Sequence, residues 1–193
     1  MKHLEIETVC PPNIEAWRQW LQDNHNTKQS IWLIYYKKNS KQVSFSWSEA
    51  VDEALCFGWI DSKAKSVDEE KFMQFFSRRK PNGTWSKINK EKIKQLIESN
   101  RMAEAGYEAI EKAKVNGSWT LLDEVEELII PKDLEKEFKS KPGSKSYFLS
   151  LSKSARKAML QWLVLAKTQN TREKRIHEIA TCASKKTKPS AFS

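Results

Sequence analysis

Seven side chains between positions 59 and 89 have the types and spacing to bind an anion together. Two adjacent arginines can hold a carboxylate or a phosphate in a bidentate manner, and an indole ring offers a flat face for stacking. A polar residue at the start of the following helix would add amide donors and the positive end of the helix dipole. The candidate ligand-binding residues are Trp59, Asp61, Arg78, Arg79, Trp85, Ser86 and Asn89.

The same residues also fit a purely structural interpretation. Asp61 would then pair with one arginine across a β-hairpin, both tryptophans would lie in the core, and Ser86 and Asn89 would only cap a helix. The residue types do not separate the two interpretations. The decisive observation is whether Arg78 and Arg79 line a common recess or are neutralised by nearby acids.

No pattern in the chain predicts catalysis, metal binding or a cofactor. Cys10, Cys56 and Cys182 are far apart and lack the CxxC spacing of a zinc site. Cys56 falls on the apolar face of a predicted helix, where a thiol is usually buried and inert. The three histidines have no sequence partner that would form a triad, and GxGxxG, P-loop and HExxH motifs are absent. We therefore predict no catalytic residue, no metal and no cofactor.

The net charge of +9 is unevenly distributed and favours anionic partners. Residues 61–101 and 139–193 are basic, whereas residues 102–138 are acidic. Basic surfaces attract nucleic acid, anionic lipid or acidic proteins through long-range forces. Nucleic-acid binding through the basic stretches 63–94 and 139–175, with tryptophans as stacking platforms, is therefore an alternative to a small anionic ligand.

The amino-terminal residues carry charges where an export signal needs an apolar core. No run of about 18 apolar residues occurs, which is the length that a membrane-spanning helix needs. We therefore expect no transmembrane segment and a cytoplasmic location. The residues do not assign an oligomeric state.

Two helices and a sheet are predicted to position the candidate residues. A helix follows Asn13 as its N-cap, and residues 30–38 are β-branched and aromatic, as in a buried strand. Ser46 and Glu49 form the capping box of a second helix, which ends at Gly58.

An antiparallel hairpin is predicted to follow, with strands over residues 59–66 and 71–78 and an acidic turn between them. Strict alternation along the first strand predicts that four side chains share one face: Trp59, Asp61, Lys63 and Lys65.

The second half of the chain is predicted to be helical. Asn89 and Thr171 are predicted N-caps of two of these helices. We expect an α+β protein, with a small antiparallel sheet and the amino-terminal helices in residues 1–101, and a mostly helical unit in residues 102–186. The tail, residues 187–193, is polar and is predicted to be disordered.

Two blocks of sequence carry a resemblance to a known family. The first comprises "EALCFGWIDS" and "FFSRRKPNGTWSKIN", and the second is "IPKDLEKEF…YFLSLSKSARKAMLQWLVLAKTQNTREKRI". Across nearly the whole chain they resemble the YdeI/OmpD-associated, bacteriocin-protection proteins. The block from Ile130 to about Lys186 resembles the named domain of that family, with the patterns PxDL, FxxLSxSxR, WxxxAK and TRxxRI.

The resemblance implies a link to envelope stress and to resistance against antimicrobial peptides, and it supplies no catalytic residue. Members of the family are often described as periplasmic, which differs from the location expected for this chain. A net charge of +9 also opposes direct capture of cationic peptides, unless the acidic residues 102–138 receive them. We expect a non-enzymatic, stress-associated binding protein that recognises an anionic small molecule or an acidic partner.

Overall fold

The computed structural model describes residues 6–40, 42 and 45–192 of the 193-residue chain. These residues form two compact units, of which the first ends at Trp119 and the second begins at Thr120. The first unit combines a sheet with helices, and the second unit is helical. The α+β class predicted from the sequence, with a mostly helical carboxyl-terminal part, is confirmed.

The elements of the first unit follow one another with short connections. The strands are β1 (Thr8–Val9), β2 (Ser30–Tyr36), β3 (Trp59–Ser66) and β4 (Lys71–Arg78). The helices are α1 (Ile14–Asn24), α2 (Trp47–Cys56), α3 (Lys87–Glu98) and α4 (Glu104–Val115).

The strands form one sheet in the order β1-β2-β4-β3. β4 lies in the middle and pairs antiparallel with both neighbours, so that Ile31 of β2 is opposite Phe76 and Trp59 of β3 is opposite Arg78. The hairpin and its pairing with residues 30–38 are therefore as predicted. β1 adds a parallel pair at the edge of β2, and its two residues are too few to show a strand pattern in the sequence.

The two faces of the sheet have different environments. Ile31, Leu33 and Phe76 point to the face that α1 and α2 cover, and they are fully buried with Trp17. The opposite face is called the open face here. It carries eight partly exposed side chains from the two central strands: Ser30, Trp32, Ile34 and Tyr36 of β2, and Lys71, Met73, Phe75 and Ser77 of β4.

A β-bulge in β3 changes the face to which its lysines point. Three steps along β3, from Asp61 to Ala64, match only two steps along β4. The extra residue breaks the alternation, so Trp59 and Asp61 stay on the helix-covered side while Lys63 and Lys65 lie on the open face. The prediction that these four side chains share one face is therefore wrong.

Local hydrogen bonds begin and end the first two helices as predicted. The Asn13 side chain accepts a hydrogen bond from the Ala16 amide at 2.9 Å, which satisfies a free donor of α1. Ser46 and Glu49 form the reciprocal capping box of α2. Gly58, just beyond this helix, has φ of +70°, a conformation that glycine adopts at little cost.

Two predicted N-caps lie one turn too late. Asn89 does not cap α3, because the Ser86 hydroxyl accepts from the Asn89 amide at 3.2 Å and the helix begins at Lys87. The last helix is capped in the same way by Thr168, whose hydroxyl accepts from the Thr171 amide at 3.1 Å. In both cases the earlier hydroxyl takes the position that a cap requires.

Close backbone packing places α4 in the first unit. Gly106 of α4 lies against the Cys56 carbonyl oxygen so closely that a Cβ atom there would overlap it. A Cβ atom on Gly58 would lie only 2.9 Å from the Ala105 carbonyl oxygen. The first unit thus extends to Trp119. The boundary predicted from the sequence was after residue 101.

The second unit is a small helical assembly. Its helices are α5 (Asp123–Glu126), α6 (Lys132–Lys139), α7 (Ser144–Ser150), α8 (Lys153–Val164) and α9 (Gln169–Ser184). Its core contains the buried side chains Leu134, Phe138, Phe148, Leu160, Leu163 and Ile179. Among the residues that the structure describes, no helix has the length and apolar character needed to cross a bilayer.

The tail packs onto the second unit. Ser190–Phe192 form a turn of 3₁₀-helix, and the Phe192 ring lies edge-on to Trp162 with 5.5 Å between ring centroids. This packing differs from the disordered tail predicted from the composition, in which the aromatic contact of Phe192 was not considered.

The contact between α4 and the end of α2 predicts a specific sensitivity to a single methyl group. Gly106→Ala should lower the free energy of unfolding by at least about 2 kcal/mol, since the overlap with the Cys56 carbonyl oxygen outweighs the better helix propensity of alanine. Urea unfolding followed by tryptophan fluorescence measures this, because seven of the eight tryptophans lie in the first unit.

Gly117→Ala is the matched control for this substitution. Gly117 has φ of +78° but no atom within 4 Å of the position that an added Cβ would take, so only the backbone conformation opposes the change. We expect a cost of about 1 kcal/mol. Equal losses for the two variants would contradict the close-packing explanation.

Candidate anion-binding site

Arg79, which directly follows β4, stacks on the indole ring of Trp85. The guanidinium carbon lies 3.4 Å from the ring centroid, and Nη1 donates a hydrogen bond to the Thr84 carbonyl oxygen at 3.1 Å. Trp85 is itself held in the core against Trp119, with 5.0 Å between ring centroids. The Arg79 backbone amide donates to the Gly58 carbonyl oxygen, so both ends of the residue are fixed.

The arginine that precedes it, Arg78, connects β4 to the end of α1. Its Nε donates to the His25 carbonyl oxygen at 2.7 Å, and its Nη2 donates to the Asn26 side-chain oxygen at 3.2 Å. The indole of Trp59 points to the same His25 carbonyl oxygen at 3.4 Å. The free carbonyl groups at the end of a helix carry partial negative charge, and Arg78 and Trp59 satisfy one of them.

Both arginines line one recess at the end of the sheet, called the arginine recess here. It has a volume of about 1030 Å³, close to the upper end of the size range of small-molecule sites. Its walls come from the loop after α1, the turn at Gly58, the start of β3, the end of β4, the loop up to Trp85 and one side of α4. Polar lining groups include Asn26, Gln29, Ser30, Ser62, Ser77 and Thr84.

Positive charge dominates the lining. Four of the lining side chains are cationic, namely Arg78, Arg79, Lys80 and Lys112, and Glu108 is the carboxylate. Glu108 is engaged by Lys112, whose Nζ lies 2.9 Å from it. Within the described part of the chain, neither arginine of the recess lies in an ion pair.

The guanidinium of Arg79 is incompletely satisfied. Its Nε and Nη2 are buried and have no hydrogen-bond partner among the described residues. Burial lowers the pKa of Arg79 to about 10, and the attraction of Asp61 opposes this shift only in part. The group stays charged at neutral pH, and an anion in the recess would stabilise that charge.

The remaining candidate residues lie outside the recess lining. Trp59 is fully buried in the core. Asp61 lies beyond it on the helix-covered side, where its Oδ2 accepts from the Trp47 indole and the Gln74 amide, both at 3.0 Å. Ser86 caps α3, and Asn89 lies within that helix. The structure thus brings together Arg78, Arg79 and Trp85 of the seven.

Parts of both interpretations of the candidate residues, as a binding site and as structural residues, agree with the structure. The two tryptophans are core residues, as the structural interpretation holds, and Trp85 contributes one ring to the recess. Asp61, however, pairs with neither arginine. Both arginines therefore line a common recess, and no acid among the described residues forms an ion pair with either of them.

Several recess residues gave no signal in the sequence. His25 has its Nδ1 2.9 Å from the Leu21 carbonyl oxygen and its ring 5.3 Å from Phe57. Lys112 and Glu108 come from α4, more than 25 residues from the arginines, and the packing of that helix brings them close.

Cys56 is confirmed as a buried thiol. It is fully inaccessible, and burial raises its pKa to about 11, so the thiol is protonated and unreactive at neutral pH. Across the described ranges, no group of three His, Cys, Asp or Glu side chains is placed to hold a metal ion.

In the second unit, the residues of the family patterns hold the helices together. Asp133 of PxDL accepts two hydrogen bonds from Arg172 of TRxxRI, at 2.6 and 3.1 Å. The pKa of Asp133 is lowered, mainly by this hydrogen bonding. Arg175 of TRxxRI stacks over Trp162 of WxxxAK, with 4.7 Å to the ring centroid, and donates to its carbonyl oxygen. These patterns therefore have structural roles.

Comparison with family models divides the chain in a similar way. Residues 9–109, more than half of the sequence, match the model described as domain of unknown function DUF8412. The chain belongs to the DUF8412 family. Residues 127–186 match the model described as bacteriocin-protection, YdeI or OmpD-associated. The resemblance predicted from the sequence is confirmed for this part, and the arginine recess lies almost wholly in the DUF8412 part.

No curated protein and no solved structure matches the chain.

The stacking of Arg79 predicts a small effect on stability when its charge is removed. In Arg79→Met, relief of the burial cost, about 3 kcal/mol from the lowered pKa, offsets the loss of about 2 kcal/mol of cation–π attraction and about 1 kcal/mol of hydrogen bonding. The free energy of unfolding, measured by urea titration, should change by less than about 1.5 kcal/mol.

Arg18→Met provides the comparison for a structural arginine. Arg18 donates to the buried carboxylate of Glu53, and its removal should cost about 2 kcal/mol or more. A loss as large as this for Arg79→Met would assign Arg79 a structural role.

Proposed function

We propose that this chain is a non-enzymatic binding protein of the bacteriocin-protection type, and that the arginine recess of its first unit holds an anionic small molecule or an acidic group of a partner. The family match of residues 127–186 supports the broad assignment. The observation that carries the finer proposal is the Arg79 guanidinium, which is stacked on Trp85, buried at two nitrogens and paired with no carboxylate of the described residues.

A buried and unpaired cation lowers the stability of the protein. Its presence is therefore expected only where it has another use. Polar and charged residues held in such positions are concentrated at binding and catalytic sites, where the environment has to favour a ligand. Arg79 has the features of such a position. Arg78 beside it is held in place by the His25 carbonyl oxygen and Asn26, so the two guanidinium groups are preorganised.

The side chains that line the recess also restrict the chemical class of the ligand. Serine, threonine and amide side chains can donate hydrogen bonds to phosphate or carboxylate oxygens. The partly exposed ring of Phe75 provides apolar surface for a planar or hydrocarbon body. A phosphorylated or carboxylated molecule with an apolar portion satisfies both kinds of lining.

The acids near the recess do not form a catalytic arrangement. Glu108 is paired with Lys112, and Asp61 is held by Trp47 and Gln74 away from the recess. A general base needs a reacting group within hydrogen-bond reach and a free basic atom. The arrangement favours binding.

Isothermal titration calorimetry with a panel of anions tests the proposal. The panel comprises phosphate, pyrophosphate, citrate, AMP and ATP. At least one should bind, and Arg79→Met or Arg78→Met should weaken its affinity by about tenfold or more, because each guanidinium supplies charge-assisted hydrogen bonds. Affinities equal to that of the unaltered protein in both variants would refute the proposal.

Arg175→Met is the matched control for these variants. Arg175 also stacks on a tryptophan, but it lies in the second unit and outside the recess. The net charge changes by the same amount as in the recess variants. Binding should therefore be unchanged, and an equal loss in this variant would assign the effect to overall charge.

The lowered pKa of Arg79 predicts how binding depends on pH. Burial disfavours the charged form, so Arg79 loses its proton near pH 10 in the free protein, and an anion must then bind together with a proton. For citrate, whose carboxylates stay ionised, affinity should be constant from pH 7 to 9 and fall about tenfold per pH unit above about pH 10. Calorimetry at each pH, with circular dichroism to verify folding, measures this.

The residual binding of Arg79→Met should lack this step, because the group that titrates near pH 10 has been removed. A step of the same size in that variant would mean that another group titrates.

A further inference from the structure

The open face of the sheet forms a second cationic surface, which adjoins the arginine recess at one end of the sheet. Trp32 and Phe75 are cross-strand neighbours on this face, with 5.1 Å between ring centroids and nearly perpendicular planes. Tyr36 lies further along β2, opposite Lys71. All three rings are only partly buried. Partly exposed aromatic rings in a row on one sheet face are a surface suited to stacking.

Lysine ammonium groups lie over each of these rings. The Nζ of Lys63 is 5.6 Å from the centroid of Trp32 and 5.4 Å from that of Phe75. The Nζ of Lys65 is 5.0 Å from the Trp32 centroid. The Nζ of Lys71 is 5.1 Å from the centroid of Tyr36.

The charged side chains that the three long strands, all of them described by the structure, place on this face are of one sign. In the part of the chain that the structure describes, none of the three ammonium groups is in an ion pair. Asp61 is the acidic residue of the three long strands, and it lies on the helix-covered side. The β-bulge places Lys63 and Lys65 on the open face, where they increase its positive charge.

A simpler explanation is that the lysine stems only shield aromatic surface from water, as long cationic side chains often do. Shielding alone would not explain why all three of these side chains are cationic. Neutral polar side chains, or cations paired with acids, would cover the rings equally well. The uniform charge points to a partner with regularly spaced negative groups and flat apolar faces.

We propose that the open face binds single-stranded nucleic acid. Unpaired bases stack on Trp32, Phe75 and Tyr36, and the phosphates contact Lys63, Lys65 and Lys71. A duplex keeps its bases stacked on one another, so its flat faces cannot reach the rings. The cation–π contacts of the free protein do not prevent this, because at exposed sites they are weaker than base stacking and the lysine chains can swing towards the phosphates.

This surface uses residues that the small-anion proposal does not, apart from Phe75 at the edge of the recess. The two proposals can therefore fail independently. Variants of Arg78 and Arg79 test the recess, and variants of Trp32, Lys63 and Lys65 test the open face.

Fluorescence anisotropy with labelled oligonucleotides tests the inference on the full chain. Oligouridylate and oligothymidylate of about 12 nucleotides, within the usual site size for single strands, should each bind at least tenfold more tightly than duplex DNA of equal length. Their two affinities show whether RNA or DNA is preferred. Polyphosphate and polyglutamate serve as competitors that carry charge without bases, and neither should displace the oligonucleotide at matched charge.

Trp32→Ala should weaken oligonucleotide binding by about fivefold or more, because it removes one stacking platform. Trp32→Phe, which keeps an aromatic ring, should recover most of the affinity. Trp47→Ala is the control, because Trp47 is about half exposed and bonds to Asp61 on the helix-covered side, and it should bind as the unaltered protein does.

The lysines are tested by the salt dependence of binding. Each phosphate contact with a single strand contributes about 0.7 to the slope of log K against log salt concentration, so Lys63→Ala/Lys65→Ala should reduce the slope by about 1.4. Lys94→Ala/Lys114→Ala makes the same change in net charge on α3 and α4 and should leave the slope unchanged.

Three results would overturn the inference: equal affinity for duplex and single strands, displacement by polyphosphate or polyglutamate at matched charge, or equal effects of the two lysine pairs. If circular dichroism shows that Trp32→Ala is unfolded, the lysine pairs and the comparison of single strand with duplex decide the matter.

Discussion

A β-strand sends successive side chains to opposite faces of its sheet, and this alternation organises the first unit. Ile31, Leu33 and Phe76 are committed to the helix-covered face and form the core with α1 and α2. The intervening side chains must then face away from the helices. At one end of the sheet they help to line the arginine recess, and along the central strands they form the open face. The core and both candidate binding surfaces therefore follow from one geometric constraint.

The recess combines a rigid frame with an unbalanced charge. Gly58 and Gly106 let the backbones of α2 and α4 approach closely, which fixes one wall, and the indole of Trp85 fixes the plane of the Arg79 guanidinium. The buried carboxylate of Glu53, by contrast, is paired with Arg18 and Arg101. Arg79 lacks such a partner among the described residues, and a protein selected only for stability would gain by replacing it.

Much of the fold could be predicted from local sequence signals, because caps, turns and alternation act over a few residues. The Asn13 cap, the Ser46 capping box and the hairpin are examples. The site was less predictable, since its members meet through contacts between distant residues. His25 and Lys112 reach the recess only through packing of α1 and α4. The candidates Trp59 and Asp61 had suitable chemistry, but their strand positions direct them away from it.

The β-bulge between Asp61 and Ala64 has a consequence for how related chains should be compared. With the extra residue, the lysines of β3 face outwards. Without it, regular alternation would place them on the helix-covered side, beside the core. Deletion of one residue there would restore regular pairing and rotate every later side chain of the strand by half a turn. The number of residues between Gly58 and the acidic turn is thus more informative than lysine content for recognising which homologues share this basic surface.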